Sequence, residues 1–99
     1  MRPRLFINNI PSLDRLIALE YGRVDDGYDP RFFCQLEESV WCYEDPENHH
    51  PVGFSVLEVS KLDLHDPSNE SLWVGDRFDA PTLGLSDANI GEIIAATRA

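Results

Sequence analysis

The sequence predicts an α+β fold, in which a small antiparallel sheet of three to five strands packs with two helices, at about residues 13–21 and 87–98. Two observations carry this prediction. Residues with high strand propensity cluster in the middle of the chain, and apolar residues recur at helical spacing near both ends. A chain of 99 residues, of which 42% are hydrophobic, can bury one modest core, so we expect a single domain over residues 1–99.

The N-terminal part predicts a short strand followed by a helix. Arg4–Ile7 is rich in strand formers, Ser12 is a favourable N-cap residue, and Gly22 stands where a glycine often ends a helix. The apolar residues that recur at helical spacing between them are Leu13, Leu16, Ile17 and Tyr21. This pattern predicts the first helix, over residues 13–21. The Gly, Pro and Asp content of residues 23–30 predicts a loop.

The segments 31–36 and 40–44 predict two strands, because both are rich in aromatic and β-branched residues. If residues 37–39 form a tight turn, the two strands pair as a hairpin. The cross-strand pairs would then be Leu36 with Val40, Gln35 with Trp41, Cys34 with Cys42, and Phe33 with Tyr43. The connection lacks Gly, Asn and Asp, so one continuous bent strand is the alternative.

Two further strands are expected before the C-terminal helix. Residues 52–59 alternate apolar side chains and end in the nearly continuous apolar run Val56–Val59, which favours a central strand. Leu72–Val74 predicts a last short strand, since it is apolar and is followed by Gly75.

The C-terminal segment predicts an amphipathic helix over residues 87–98. Ser86 is a suitable N-cap residue, Asp87 complements the helix dipole at the start, and Arg98 complements it at the end. The residues at i, i+3, i+4 and i+7 are Ile90, Ile93, Ile94 and Thr97. Gly91 costs helix stability relative to Ala, so we expect it to allow a close approach to another backbone.

The net charge of −10 arises entirely from residues 32–99, which hold thirteen acidic residues against Lys61, Arg77 and Arg98. Proteins bind nucleic-acid backbones by neutralising phosphates with Lys and Arg, so we expect no direct nucleic-acid partner. Anionic membranes are poor partners for the same reason, and no apolar run is long enough to span a bilayer. The acidity reflects either solubility and proteome-wide composition or an acidic face for a basic protein partner, of which nucleic-acid mimicry is a special case.

The N-terminus and the cysteines predict a cytoplasmic protein. The first ten residues begin basic, but Asn8 and Asn9 break their apolar run and no small-residue cleavage site follows. Two cysteines are too few for a secreted disulfide scaffold. A Cys34–Cys42 disulfide fits the hairpin pairing, but in a reducing compartment we expect both as thiols.

Enzyme and cofactor signals are weak. The chain has no phosphate-binding loop, dinucleotide fingerprint, nucleophile elbow or Cys-x-x-Cys pair, so we expect no cofactor and favour a protein that is not an enzyme. The alternative is a small metal-binding domain or enzyme that uses the Glu47, His49, His50 and His65 region, because carboxylates and imidazoles are zinc ligands. Their spacing matches no established metal-binding pattern, so a solvated turn explains them more simply.

Small size, acidity and the lack of a catalytic motif favour a protein-binding or regulatory function. An inhibitor, an immunity or antitoxin-like factor, and an accessory subunit all fit. The expected partner is a protein, for which the acidity favours a basic one, or a second copy of the chain. Aromatic residues anchor interfaces and acidic residues steer basic partners, so we expect contacts from both types. The predicted contact residues are Trp41, Tyr43, Trp73, Glu37, Glu38, Glu44, Asp45 and Glu47. Core packing is the alternative role for each aromatic residue.

Overall fold

The computed structural model describes residues 2–22, 33–45 and 47–98. The predicted loop at 23–30 lies outside these ranges. The strands are β1 (Leu5–Ile10), β2 (Arg15–Glu20), β3 (Phe33–Glu37), β4 (Val40–Glu44), β5 (Pro51–Leu57), β6 (Phe78–Ala80) and β7 (Leu85–Ala88), and one α-helix, α1 (Ile90–Thr97), follows them. Short 3-10 helices lie at Pro11–Leu13, Val59–Lys61, Pro67–Trp73 and Pro81–Leu83. The predicted α+β class is confirmed.

The main sheet is antiparallel and has the strand order β1-β2-β5-β4-β3. The predicted central strand is confirmed, since β5 lies between β2 and β4. The β3–β4 hairpin is confirmed, with Cys34 opposite Cys42 and the two flanking pairs in the predicted register. At the turn, Glu37 instead of Leu36 lies opposite Val40, because a register shift follows Gln35. This irregularity lets a connection without Gly, Asn or Asp close the hairpin.

The predicted helix over residues 13–21 is wrong, because β2 occupies most of this segment. Its run Leu16–Leu19 is buried throughout, on both faces of the sheet. A central strand can bury consecutive residues in this way, whereas an amphipathic helix leaves one side exposed. Leu13, which supported the helical spacing, is 64% exposed in a 3-10 turn. Asp14 follows in the left-handed conformation, and the chain reverses to pair β2 with β1.

The main core lies between one face of the sheet and the layer formed by α1, the 3-10 helices and the β6–β7 pair. A second, smaller cluster lies on the opposite face of the sheet and consists of Ile17, Leu19, Tyr43 and Val52. The largest fully buried side chains of the main core are Phe54, Phe78, Leu5, Leu16, Leu72, Ile93, Ile94, Val40 and Val56. No helix among the described residues has the length and apolarity needed to cross a membrane.

The C-terminal helix is confirmed, although it begins later than predicted. Residues 85–88 form β7, and Asn89 caps the helix in place of Ser86. The Asn89 side chain accepts a bond from the Glu92 N–H, and the Glu92 side chain accepts one from the Asn89 N–H. This capping box satisfies backbone donors at the helix start.

Gly91 does allow a close approach, but its neighbour is the Trp73 indole and not the expected backbone. A Cβ atom at Gly91 would lie 2.7 Å from the indole ring, so only glycine fits there without a shift. The Trp73 Nε1–H donates to the Leu64 carbonyl at 2.8 Å. Trp73 ends the 3-10 helix Pro67–Trp73, so the predicted strand at Leu72–Val74 is wrong. Leu72 is fully buried and Trp73 packs on α1, whereas Val74 is 61% exposed.

Candidate functional site

An acidic groove lies in the charged half of the chain. It lies between the β3–β4 turn and the segment that follows β5, and it has a volume of about 570 Å³. We call it the acidic groove and define it by its lining residues, which are Glu37, Glu38, Ser39, Leu57, Glu58, Lys61, Leu62, Asp63, Asp66, Ser68 and Asn69. Five carboxylates therefore surround one ammonium group.

Backbone pairing brings the two sides of the acidic groove together. Val40 lies opposite Val56 in the β4–β5 register, and the Leu57 N–H donates to the Ser39 carbonyl at 2.8 Å. These contacts place the β3–β4 turn beside the end of β5. Glu58 then takes the left-handed conformation and leads into the 3-10 helix Val59–Lys61, which turns the chain back along the groove.

Local hydrogen bonds shape the second wall of the groove. The Asp63 carboxylate accepts the His65 N–H at 2.9 Å, and the Asn69 side-chain amide donates to the Asp63 carbonyl at 2.7 Å. The Asp66 carboxylate accepts both the N–H and the hydroxyl of Ser68 and caps the next 3-10 helix. These two bonds, the backbone one first, lower the pKa of Asp66 below its ordinary value. Asp63 and Asp66 therefore help to build the wall they line.

The remaining carboxylates of the groove make few hydrogen bonds or ion pairs within the described ranges. Glu37 accepts a hydrogen bond from the Ser71 hydroxyl, and Glu58 lies 3.7 Å from the Lys61 ammonium group, with both of these side chains largely exposed. Such an exposed ion pair contributes little to stability. Glu38 is exposed, and within the described ranges no hydrogen bond or ion pair engages its carboxylate. Negative charge is therefore presented to solvent at Glu38 and Glu58.

A partly apolar floor accompanies these charges. Leu57 is 40% exposed and lines the groove together with the half-buried Leu62. Lys and Arg side chains pack their methylene stems on apolar surface while the cationic head remains hydrated. The groove therefore offers a basic side chain both carboxylates for its cationic head and apolar surface for its methylene stem.

The other predicted contact residues lie elsewhere. Tyr43 is 6% exposed in the second cluster, and Trp73 packs on α1, so both serve the core. Trp41 is half-buried, opposite Gln35 on one side and Ser55 on the other. Of the remaining acidic residues, Glu44 ends β4, and Asp45 and Glu47 belong to the β4–β5 turn, at the far end of β4 from the groove. In that turn Asp45 accepts the Glu47 N–H at 2.8 Å.

The structure does not gather the residues of the metal-binding alternative. Within the ranges that the structure describes, no group of three or more His, Cys, Asp and Glu side chains is arranged to hold a metal ion. His49 and His50 lie in the β4–β5 turn, where the His49 imidazole approaches the Glu44 carboxylate at 3.6 Å. His65 lies in the segment after β5, in a turn that Asp63 stabilises.

A second depression, of about 700 Å³, lies beside the β4–β5 turn and contains charges of both signs. We call it the arginine cleft, because Arg2 and Arg77 are its cationic residues. The Arg2 guanidinium lies 2.9 Å from the Asp79 carboxylate and 3.9 Å from that of Asp87. Arg77 lies 4.0 Å from the Asp87 carboxylate and 3.8 Å from that of Glu92. The Asp87 carboxylate, which lines this cleft, and the adjacent Asp79 and Glu92 carboxylates therefore have cationic partners.

Sequence reasoning identified Glu37 and Glu38 but missed Glu58, Asp63 and Asp66. The missing signal was the pairing of β4 with β5, which places Ser39 beside Leu57 and so brings the acids after β5 near the turn. Comparison with known proteins adds no relative: no protein-family model, no curated protein and no solved structure matches the chain significantly.

Proposed function

We propose that this chain is a small acidic protein-binding or regulatory protein, which docks a basic segment of a partner protein in the acidic groove. The observation that carries the proposal is that five carboxylates line the groove with a single lysine, Lys61. Of these, the Glu38 carboxylate makes no hydrogen bond or ion pair within the described ranges, and Glu58 makes only a weak surface ion pair. Charge complementarity of this kind steers association and sets specificity.

A flexible chain segment rich in Arg or Lys suits the groove better than a small ligand. The groove is open, and most of its polar groups are exposed instead of converging in an enclosed pocket. Cationic heads would pair with Glu38 and Glu58, and aliphatic stems would cover the exposed part of Leu57. An inhibitor, an antitoxin-like factor or an accessory subunit would each use such a surface.

The direct test is binding of a fluorescent peptide of alternating Arg and Gly residues, measured by anisotropy at low ionic strength. The double variant Glu38→Gln/Glu58→Gln should weaken binding by about threefold to tenfold, because each exposed charge pair contributes roughly 0.2–1 kcal/mol. A peptide with Gln in place of Arg should not bind. Added salt should weaken binding of the wild type, since it screens exposed charges.

The matched control removes two exposed carboxylates away from the groove, in the double variant Glu47→Gln/Asp76→Asn. Its net charge equals that of the groove variant, so non-specific attraction is the same for both. The proposal expects this control to bind within about twofold of the wild type, as rim charges outside a contact do little. Equal weakening by the two double variants would refute docking in the groove. Both proteins should keep the wild-type melting temperature to within a few degrees.

Pull-down from the native host then addresses the partner itself. The wild type and the groove double variant are compared as baits at low and high ionic strength. A protein that the wild type retains at low salt, and that the groove variant loses, fits the proposal. A protein retained equally by both baits binds elsewhere.

A further inference from the structure

Among the described residues, the outer edge of β1 is unpaired over most of its length, and the acidic groove does not involve it. Strand order places β1 at the end of the main sheet. The Tyr21 N–H donates to the Arg4 carbonyl at 3.0 Å, in continuation of the β1–β2 register. Bonded residues alternate along an antiparallel strand, so the N–H and C=O groups of Ile7 and Asn9 point away from β2.

Within the part of the chain that the structure describes, pairing with this edge occurs at its start. The Asp79 N–H donates to the Pro3 carbonyl at 2.9 Å, and Asp79 forms an isolated parallel bridge with Arg4. Beyond that bridge, no strand of the described ranges pairs with the outer edge of β1. Edge strands are usually protected by charges, prolines, bulges or a cover. The six residues Leu5–Ile10 contain no charge and no proline, and their pairing with β2 has no bulge.

We propose that a second copy of this chain pairs with this edge, so that β1 and its copy lie antiparallel about a two-fold axis at Asn8. Charge limits where two copies can meet, and the uncharged edge of β1 is such a place. The chain carries −10, so two copies repel each other over most of their surfaces, whereas residues Leu5–Leu13 contain no charged side chain. The two sheets become one continuous sheet. This inference does not rest on the proposed function.

The register of the two copies follows from the backbone N–H and C=O groups of β1 that point away from β2. With Asn8 opposite Asn8 of the second copy, Ile7 faces Asn9 in both directions, and about four backbone hydrogen bonds form because each bonded pair exchanges two. An axis at Ile7 would place Asn9 against Leu5, beside the bridge that Asp79 already makes. An axis at Asn9 would place Ile7 against Pro11, which has no N–H to donate.

The same register pairs apolar side chains across the interface. Phe6 lies opposite Ile10 of the second copy, and Phe6 is 54% exposed in the single chain. Pairs that do not exchange backbone bonds bring their side chains closest, and both Phe6–Ile10 and Asn8–Asn8 are pairs of this type. Asn8 is exposed, so it reports on the interface without entering the core.

The test is sedimentation equilibrium over a wide range of protein concentration. The wild type should pass from monomer to dimer with a Kd on the order of 100 µM, since small interfaces are weak. Asn8→Lys and Asn8→Asp should each raise this Kd by about fivefold or more, because each places like charges directly opposite one another. Ser86→Lys, which adds a charge at an exposed position of β7, should leave the Kd unchanged.

An equimolar mixture of the Asn8→Lys and Asn8→Asp variants sharpens the result. Opposite charges then meet at the axis, so the mixture should form a heterodimer at least as well as the wild type forms its dimer. A wild type that remains monomeric throughout, unaffected variants, or a mixture that does not recover would each overturn the proposal.

Amide hydrogen exchange provides a readout that needs no variant. The Ile7 and Asn9 amides should exchange rapidly in dilute protein and become protected as concentration rises, whereas the Phe6 and Asn8 amides should be protected at both. Ile7 and Asn9 amides whose exchange does not depend on concentration would contradict pairing at this edge.

Discussion

The acidic groove and the arginine cleft use the same residue types for different purposes. In the cleft, carboxylates pair with Arg2 and Arg77 and tie separate parts of the chain together, as when Asp79 accepts both the Asp87 N–H and the Arg2 guanidinium at 2.9 Å. In the groove, one lysine faces five carboxylates, and Glu38 and Glu58 point to solvent. The number of acidic residues therefore does not identify a binding surface; what matters is whether local cations and backbone donors already engage them.

The largest difference should appear when one carboxylate is removed from each region. Asp79→Ala deletes acceptors for Asp87, whose backbone is in the left-handed conformation, and for Arg2, so the melting temperature should fall by several degrees. Glu38→Ala removes an exposed side chain and should leave the melting temperature nearly unchanged. Thermal unfolding followed by circular dichroism measures both. Equal falls in melting temperature for the two variants would contradict a structural role that is specific to the carboxylates at the cleft.

The second-largest effect should be a loss of stability in acid, which arises from carboxylates that accept hydrogen bonds in the folded protein. The Asp87 N–H and then the Arg2 guanidinium lower the pKa of Asp79 from its ordinary 3.8, and Ser60 lowers that of Asp14 in the same direction. A pKa that is lower in the folded state stabilises the fold above the ordinary value, and this stability is lost as pH falls through the folded-state pKa. Stability should therefore decline below the ordinary Asp pKa, and Asp79→Ala should show a shallower decline. Melting curves from neutral pH to about pH 2 measure this, and an unchanged pH dependence in the variant would contradict it.

Local signals predicted part of the fold well. The C-terminal helix was predictable because its apolar spacing is regular, although its N-cap is Asn89 and not the predicted Ser86. The register of the β3–β4 hairpin followed from the length of its turn, except at the irregularity between Gln35 and Glu37. The helix predicted over residues 13–21 was wrong because the helical spacing there coexists with the apolar run Leu16–Leu19. Pairing with β1 and β5 makes this segment a strand. Tertiary contacts override local propensity in this way.

The candidate site was only half predictable, for the same reason. Glu37 and Glu38 drew attention because they lie in a segment without basic residues. Their neighbours Glu58, Asp63 and Asp66 follow a different strand, and only the β4–β5 pairing and the 3-10 turn at Val59–Lys61 bring them alongside. The aromatic residues Tyr43 and Trp73 are buried or packed on α1, a role that residue type alone does not distinguish from an interface anchor.

The most direct test of the central claim is an NMR titration of ¹⁵N-labelled protein with the Arg-Gly peptide. If the acidic groove docks basic segments, the amide shifts should concentrate at Glu38, Ser39, Glu58 and Lys61 and should vanish with added salt. The amide chemical shifts of the residues around Arg2 and Arg77 should not change. Shifts centred on the arginine cleft, or spread evenly over every exposed carboxylate, would contradict the account.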